Sequence, residues 1–205
     1  MMNLEMLVWS AKKFQQPYFN KVALTHANTT LKNHFRPDYS SYHVVSYDTL
    51  TGQAEARQTS QGYSDESAWA RGQAWGLYGY TMMFRETKNS LYLQQAKAVA
   101  DFIIHHPNLP EDKIPYWDFN ASDIPEALRD ASAGAIICSA LLELSGYVDP
   151  DKAAEYRKVA EIQLKTLCSP AYLASSGENA NFILKHSVGP VSYTHLRAHE
   201  TRGNL

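Results

Sequence analysis

The sequence predicts an all-α fold assembled from helical hairpins, with one small β hairpin set among them. Three observations carry that reading. Apolar residues recur at helical spacing through most of the chain. The breaks between helical stretches fall inside pairs, at Pro17, at Lys88-Asn89-Ser90 and at Val148-Asp149-Pro150. A row Phe19, Ala23, Ala27 in one helix returns as Tyr92, Ala96, Ala100 and again as Tyr156, Ala160, Leu164. Such i, i+4, i+8 positions share a helix face, so each second helix carries a similar stripe, as three hairpins in series would.

The first helix spans Met2 to Phe14, with Leu4, Leu7, Val8 and Ala11 on one face. The second continues to about Phe35, where Arg36-Pro37-Asp38 stops it, because the residue before a proline avoids helical dihedrals. Tyr42 to Tyr47 then alternates and is β-rich, Asp48 to Gly52 has turn chemistry, and Gln53 to Thr59 returns as the second strand. Asp65 to Glu86 and Leu91 to His106 form the next helix pair, with Ser64 or Asp65 able to cap its start. A proline-rich loop runs from Pro107 to Pro125. Asp130 to Tyr147 and Lys152 to Cys168 make the last pair. Asp130 reads as a helix cap rather than a catalytic acid.

The first helices of the two later pairs are rich in small residues, among them Ala70, Gly72, Ala74, Gly76 and Gly79, then Ala131, Ala133, Gly134 and Ala135. Small side chains let helices approach closely and suit the inner ring of a double-layered helical barrel. A helical solenoid used as a scaffold fits the same pattern.

Composition limits the function. The 205 residues are 44% hydrophobic and carry a net charge of -2, from 19 basic and 21 acidic residues. They can bury a core and offer no electrostatic basis for nucleic acid or an anionic membrane. No apolar run approaches the ~18 residues of a spanning helix, and Met1 to Lys13 lacks the order of a signal peptide. Cys138 and Cys168 lie among apolar neighbours without metal spacing and read as small core residues. Four Trp and 13 Tyr are many for this length, and flat rings pack on the apolar faces of pyranoses.

The densest chemistry lies from Gln61 to Gly76. Arg71 and Trp75 are four residues apart on one helical face, with Trp69 near the helix mouth. A guanidinium flanked by indoles can fork onto a uronate carboxylate while the rings stack on the sugar. Spacing alone favours core tryptophans and a surface or inter-helix ion pair for Arg71. His43 and Gln61 could each donate to a ligand or merely finish the hairpin. Ile114 to Phe119 reads as a rim loop carrying stacking rings.

Taken together, Met1-Met2-Asn3-Leu4, His43-Val44-Val45-Ser46-Tyr47-Asp48, the segment Gln61 to Gly79, Pro115-Tyr116-Trp117-Asp118-Phe119, Arg129-Asp130-Ala131-Ser132-Ala133 and Leu184-Lys185-His186-Ser187-Val188-Gly189 resemble the unsaturated glucuronyl hydrolases, glycoside hydrolase family 88. The resemblance runs from Met1 to about Gly189, with the motifs in the family's order. It implies a barrel of six helical hairpins, of which about half is here, around a central sugar pocket. It implies that His43, Gln61, Trp69, Arg71 and Trp75 line that pocket, with Trp117 and His186 as weaker members. It also implies a substrate, an unsaturated uronic-acid di- or oligosaccharide left by polysaccharide lyases, and a reaction. A carboxylic acid protonates the C4=C5 enol ether, water adds at C5, and the hemiketal opens; the acid needs a raised pKa. No cofactor or metal is implied.

In the family that Asp falls just before Met-Met-Asn-Leu and a second lies further upstream. Neither is in this sequence, so an internal piece that is inactive alone is expected, as is self-association through helix faces left uncovered. Residues 190–205 depart from the family and resemble a translated adaptor tail, which leaves 1–189 as a partial glycosidase domain. The tail's His195 and His199 are not expected to hold metal. An unsaturated rhamnogalacturonyl hydrolase and a non-enzymatic repeat scaffold stand as the other readings. Relatives of this kind are expected in bacteria, in cytoplasm or periplasm. Oligomeric state and the glycan cleaved are not legible.

Overall fold

The computed structural model describes residues 1–189. Elements follow in the order α1 (Leu4–Lys13), α2 (Pro17–Asn33), β1 (Val44–Tyr47), β2 (Ala54–Gln58), α3 (Ala70–Thr87), α4 (Ser90–His105), α5 (Ala131–Leu144) and α6 (Pro150–Leu167). The expected tail and its histidine pair lie outside the described residues.

The helices pack as three antiparallel hairpins, α1 with α2, α3 with α4 and α5 with α6. α3 also lies broadly against α5 and touches α1, so the first helices of the pairs form one layer and their partners back it. On α5 a small residue makes room for the segment that precedes the helix: a Cβ added at Gly134 would sit 2.9 Å from Ile114 Cδ1. The second helices bury their stripes: Ala23, Ala27, Tyr92, Ala96, Ala100, Tyr156 and Ala160 are all sealed from solvent. Phe19 is only half-buried, and Leu164 is 51% exposed, with Gln163 and Leu167 buried instead. Eight residues rotate a row about 80° around the axis, whereas seven bring it nearly back into line.

Two phenols join the first hairpin to the second. Tyr80 on α3 donates to the Ala27 carbonyl at 3.0 Å, and Tyr92 on α4 donates to Asn28 Oδ1 at 2.7 Å. Burial pushes both hydroxyls above the ordinary tyrosine value. α4, α5 and α6 are capped by Asn89, Asp130 and Asp149, whose side-chain oxygens accept first-turn N–H groups.

The start of α3 differs from expectation. It begins at Ala70, with Trp69 in the cap position, and neither Ser64 nor Asp65 caps it. The Asp65 carboxylate instead accepts the Thr59 N–H at 2.8 Å, and the Ser64 carbonyl accepts from the Ser67 N–H and hydroxyl. Local side-chain bonds of this kind compete with helix, so residues 59–68 wind as a loop. Cys138 is buried as expected, but Cys168 is exposed, because it ends α6 where the chain leaves the packed layer. No described helix is long and apolar enough to cross a membrane.

Candidate functional site

A cavity of about 290 Å³ opens where the N-terminus of α1, the end of α2, the entry to β1 and the start of α3 converge. Its walls include Met1, His34, His43, Trp69, Gly72 and Trp75. It holds no Asp or Glu among its lining residues.

Trp69 is placed by backbone bonds on both sides. The Ala70 N–H donates to the Trp117 carbonyl at 3.1 Å, and the Phe119 N–H donates to the Ala68 carbonyl at 3.0 Å. Residues 115–119 thus run as a strip between the mouth of α3 and the segment before α5, where the Trp117 N–H reaches the Leu128 carbonyl. That strip is not a rim of stacking rings. Tyr116 and Trp117 are 7% and 6% exposed and Phe119 is sealed, so Trp117 packs beneath Trp69 and is not among the cavity's lining residues. Pairing its backbone groups in this way lets the strip be buried.

Asp118, fully buried, is the anchor that sequence reasoning missed. Its Oδ2 accepts the Tyr63 N–H at 2.9 Å and the Ser67 hydroxyl at 2.7 Å, and its Oδ1 accepts the Asn120 N–H. A buried carboxylate with this many donors sets the 60s loop. An acid inside an aromatic run was its only sequence signal.

His43 stacks on Trp69, ring centroids 4.3 Å apart at 33°. Its Nδ1 accepts the backbone N–H groups of Ser60 and Gln61, each at 3.0 Å. Gln61 therefore meets His43 through its main chain and does not line the cavity. Burial lowers the His43 pKa, opposed by the Asp118 charge. His34, which sequence reasoning also missed, lines the cavity and shares a hydrogen bond with the Tyr47 hydroxyl at 3.1 Å. Burial holds its pKa down to about 4, with His26, the chain N-terminus and Arg57 adding to the effect. It ends α2 with no motif around it.

Arg71 lies beside the cavity rather than in its wall, its guanidinium carbon 5.4 Å from the Trp69 ring centroid. Nε and Nη2 both reach Asp130 Oδ2, at 3.0 and 2.9 Å, and Nη2 also donates to the Val188 carbonyl. Asp130 thus caps α5 and pairs Arg71 at once. His186 is half-buried, edge-to-face with Tyr172 at 5.3 Å between ring centroids, and its carbonyl accepts the Ala131 N–H. It supports the mouth of α5 and is not among the cavity's lining residues. Structure therefore gathers His43, Trp69 and Trp75 in one cavity and sets Arg71 and Gln61 at its edge. No group of three metal-ligating side chains occurs among the described residues.

No family model matches the chain. Similar proteins are nonetheless found. The chain is 50% identical over 189 residues to an unsaturated glucuronyl hydrolase of Formosa agariphila, covering 92% of this chain and 46% of that protein. It also matches a crystal structure of an unsaturated glucuronyl hydrolase specific for heparin, at TM-score 0.90 and 56% identity, covering 94% of this chain and 51% of that one. A third match is a mutant unsaturated glucuronyl hydrolase of Streptococcus agalactiae complexed with dGlcA-GalNAc6S, at TM-score 0.72 and 33% identity, covering 85% and 46%. The chain spans about half the length of the curated relatives it matches.

Proposed function

The chain belongs to the unsaturated glucuronyl hydrolase family, and from that we propose that it carries the uronate-binding wall of an enzyme acting on unsaturated uronyl oligosaccharides. The observation that carries the proposal is the grouping of His43, Trp69 and Trp75 around one cavity, with the Arg71 guanidinium against the Trp69 ring. Indole faces suit a pyranose, and a fixed cation beside them suits its carboxylate. The relatives' names support the substrate class, and one neighbour is described as bound to an unsaturated glucuronyl disaccharide.

The cavity's wall contains no carboxylic acid, and the buried acids nearby, Asp118 and Asp130, are held by other donors. We propose that the 205 residues bind the sugar but do not hydrate its C4=C5 bond. Incubation with unsaturated disaccharides from chondroitin and from pectin tests both parts, reading double-bond absorbance and tryptophan fluorescence together. Quenching by the chondroitin product, weakened in Arg71→Ala and Trp75→Ala, with absorbance unchanged, is the expected outcome. Preference for the pectin product would move the reading to the rhamnogalacturonyl type. No quenching would favour a scaffold, and turnover would overturn the claim of inactivity.

A further inference from the structure

His43 is held by main-chain donors, and the geometry decides which of its nitrogens carries the proton. Ser60 and Gln61 direct two adjacent N–H groups at Nδ1, each at 3.0 Å. Thr59 Oγ1 lies 3.3 Å from the same nitrogen and itself accepts the Gly62 N–H at 2.7 Å. A ring nitrogen bearing hydrogen cannot accept these bonds, so Nδ1 is the bare, accepting nitrogen and the proton of the neutral ring sits on Nε2. One ring face is covered by Trp69, while the residue still lines the cavity.

We infer that the backbone amides of Ser60 and Gln61 fix His43 as the Nε2–H tautomer, so that the cavity receives a hydrogen-bond donor that selects an acceptor oxygen on the ligand. The ligand part of this rests on the sugar-binding reading above; the tautomer does not. A carboxylate, hydroxyl or ring oxygen would be accepted, whereas an ammonium or amide N–H at that place would be refused. Ser60 and Gln61 act through His43 and are positioning residues. Gly62 completes the device: a Cβ there would meet Thr59 Oγ1 at 2.5 Å and Asp118 Oδ2 at 3.1 Å, so only glycine lets the loop close this tightly. The Asp118 charge acts on His43, and Asp118 anchors the same loop through the Tyr63 N–H.

The test is a long-range proton–nitrogen spectrum of the uniformly labelled 205-residue chain at pH 7, without sugar, with His43→Gln used to assign the resonances. A pyrrole-type Nε2 and a pyridine-type Nδ1 are expected for His43. The opposite tautomer, or a rapidly exchanging mixture, would overturn the inference. Gly62→Ala provides the second arm. With helical content retained by circular dichroism, it is expected to release the ring into a tautomer mixture, and an unchanged spectrum would show that the loop does not set the proton. Adding the unsaturated chondroitin disaccharide should move Nε2 and leave Nδ1 in place. Fluorescence quenching with an unmoved Nε2 would remove the donor role. A chain that keeps the tautomer but shows no quenching would sink the sugar-binding reading alone.

Discussion

Arg71 and Asp130 form a two-donor ion pair across the mouths of α3 and α5, with Nε and Nη2 on one carboxylate oxygen at 3.0 and 2.9 Å. The aspartate side chain is fully buried and the arginine 23% exposed. Burial pushes the Asp130 carboxyl up, against the pull of the guanidinium and of two backbone N–H groups. The paired contacts hold the guanidinium in one orientation between α3 and α5.

Breaking that pair from either side strands a charge. Asp130→Asn keeps an oxygen to cap α5 but removes the charge, and Arg71→Met leaves the carboxylate alone. Each is expected to lose stability toward the lower end of the about 3–5 kcal/mol seen for buried pairs, because Arg71 is partly wet. Urea denaturation of both single variants and the double variant should show the double costing less than the sum. Additive losses would mean that the two residues act independently.

The phenols that stitch the first hairpin to the second should not be equivalent. Tyr80→Phe takes a second donor from the carbonyl of Ala27, which keeps its bond in the α2 ladder; the residue is fully buried and no water replaces the hydroxyl, so the loss is expected near the upper end of the about 0.5–1.5 kcal/mol of one hydrogen bond. Tyr92→Phe frees Asn28, an exposed residue that water can satisfy, and should cost about 0.5–1.5 kcal/mol. A larger loss at Tyr92 would contradict the packing described.

Acid should weaken the fold through histidine. His34 is lowered from 6.5 to about 4, and burial lowers His43 and His106 as well. Below pH 6.5 the unfolded chain takes up protons that the folded chain refuses, so stability falls as pH drops from about 6.5 towards 4. His34→Gln is expected to flatten part of that slope in melting experiments. An unaltered slope would remove His34 from the explanation.

Gly134 should resist even alanine. The new Cβ meets Ile114 Cδ1 at 2.9 Å and Cγ2 at 3.5 Å, so a gain of ~1 kcal/mol in helix propensity competes with about 1–3 kcal/mol of overpacking. Net destabilisation is expected for Gly134→Ala, relieved when Ile114→Val removes the nearer atom. Thermal denaturation of the pair decides it, and a stabilised single variant would show that α5 and the segment before it pack loosely at this point.

An apolar row remains exposed on the first hairpin. Met6, Trp9, Phe14 and Tyr18 are 63%, 55%, 59% and 67% exposed. Concentration-dependent self-association is expected in sedimentation experiments, reduced by Trp9→Glu. A monomer at all concentrations would contradict it.

Periodicity made the helix pairs legible, because burial on one face imposes the 3.6-residue repeat wherever a helix is packed. The hairpin was legible instead from its β-rich residues and turn chemistry, since its second strand is exposed along nearly all its length. What periodicity could not reveal was that Ser64, Asp65 and Ser67 spend their polar groups on a loop, which moved the start of α3 to Ala70. Trp117 looked like a stacking ring because sequence shows ring type and not the backbone bonds that bury it. Arg71 was legible as a cation on a helix face, with an inter-helix ion pair among its readings. Its partner Asp130 was legible only as a cap, since pairing across 59 residues leaves no local trace. His34 carried no motif, and Asp118 stood in one without being singled out from its aromatic neighbours.

The most direct test of the central claim is a calorimetric titration of the 205-residue chain with an unsaturated uronyl disaccharide and with the same sugar reduced at its carboxyl group. Clear binding of the acid, with at least tenfold weaker binding of the reduced sugar and loss of that difference in Arg71→Ala, is the expected result. Equal binding of both sugars, or binding of neither, would contradict a uronate site built on His43, Trp69, Arg71 and Trp75.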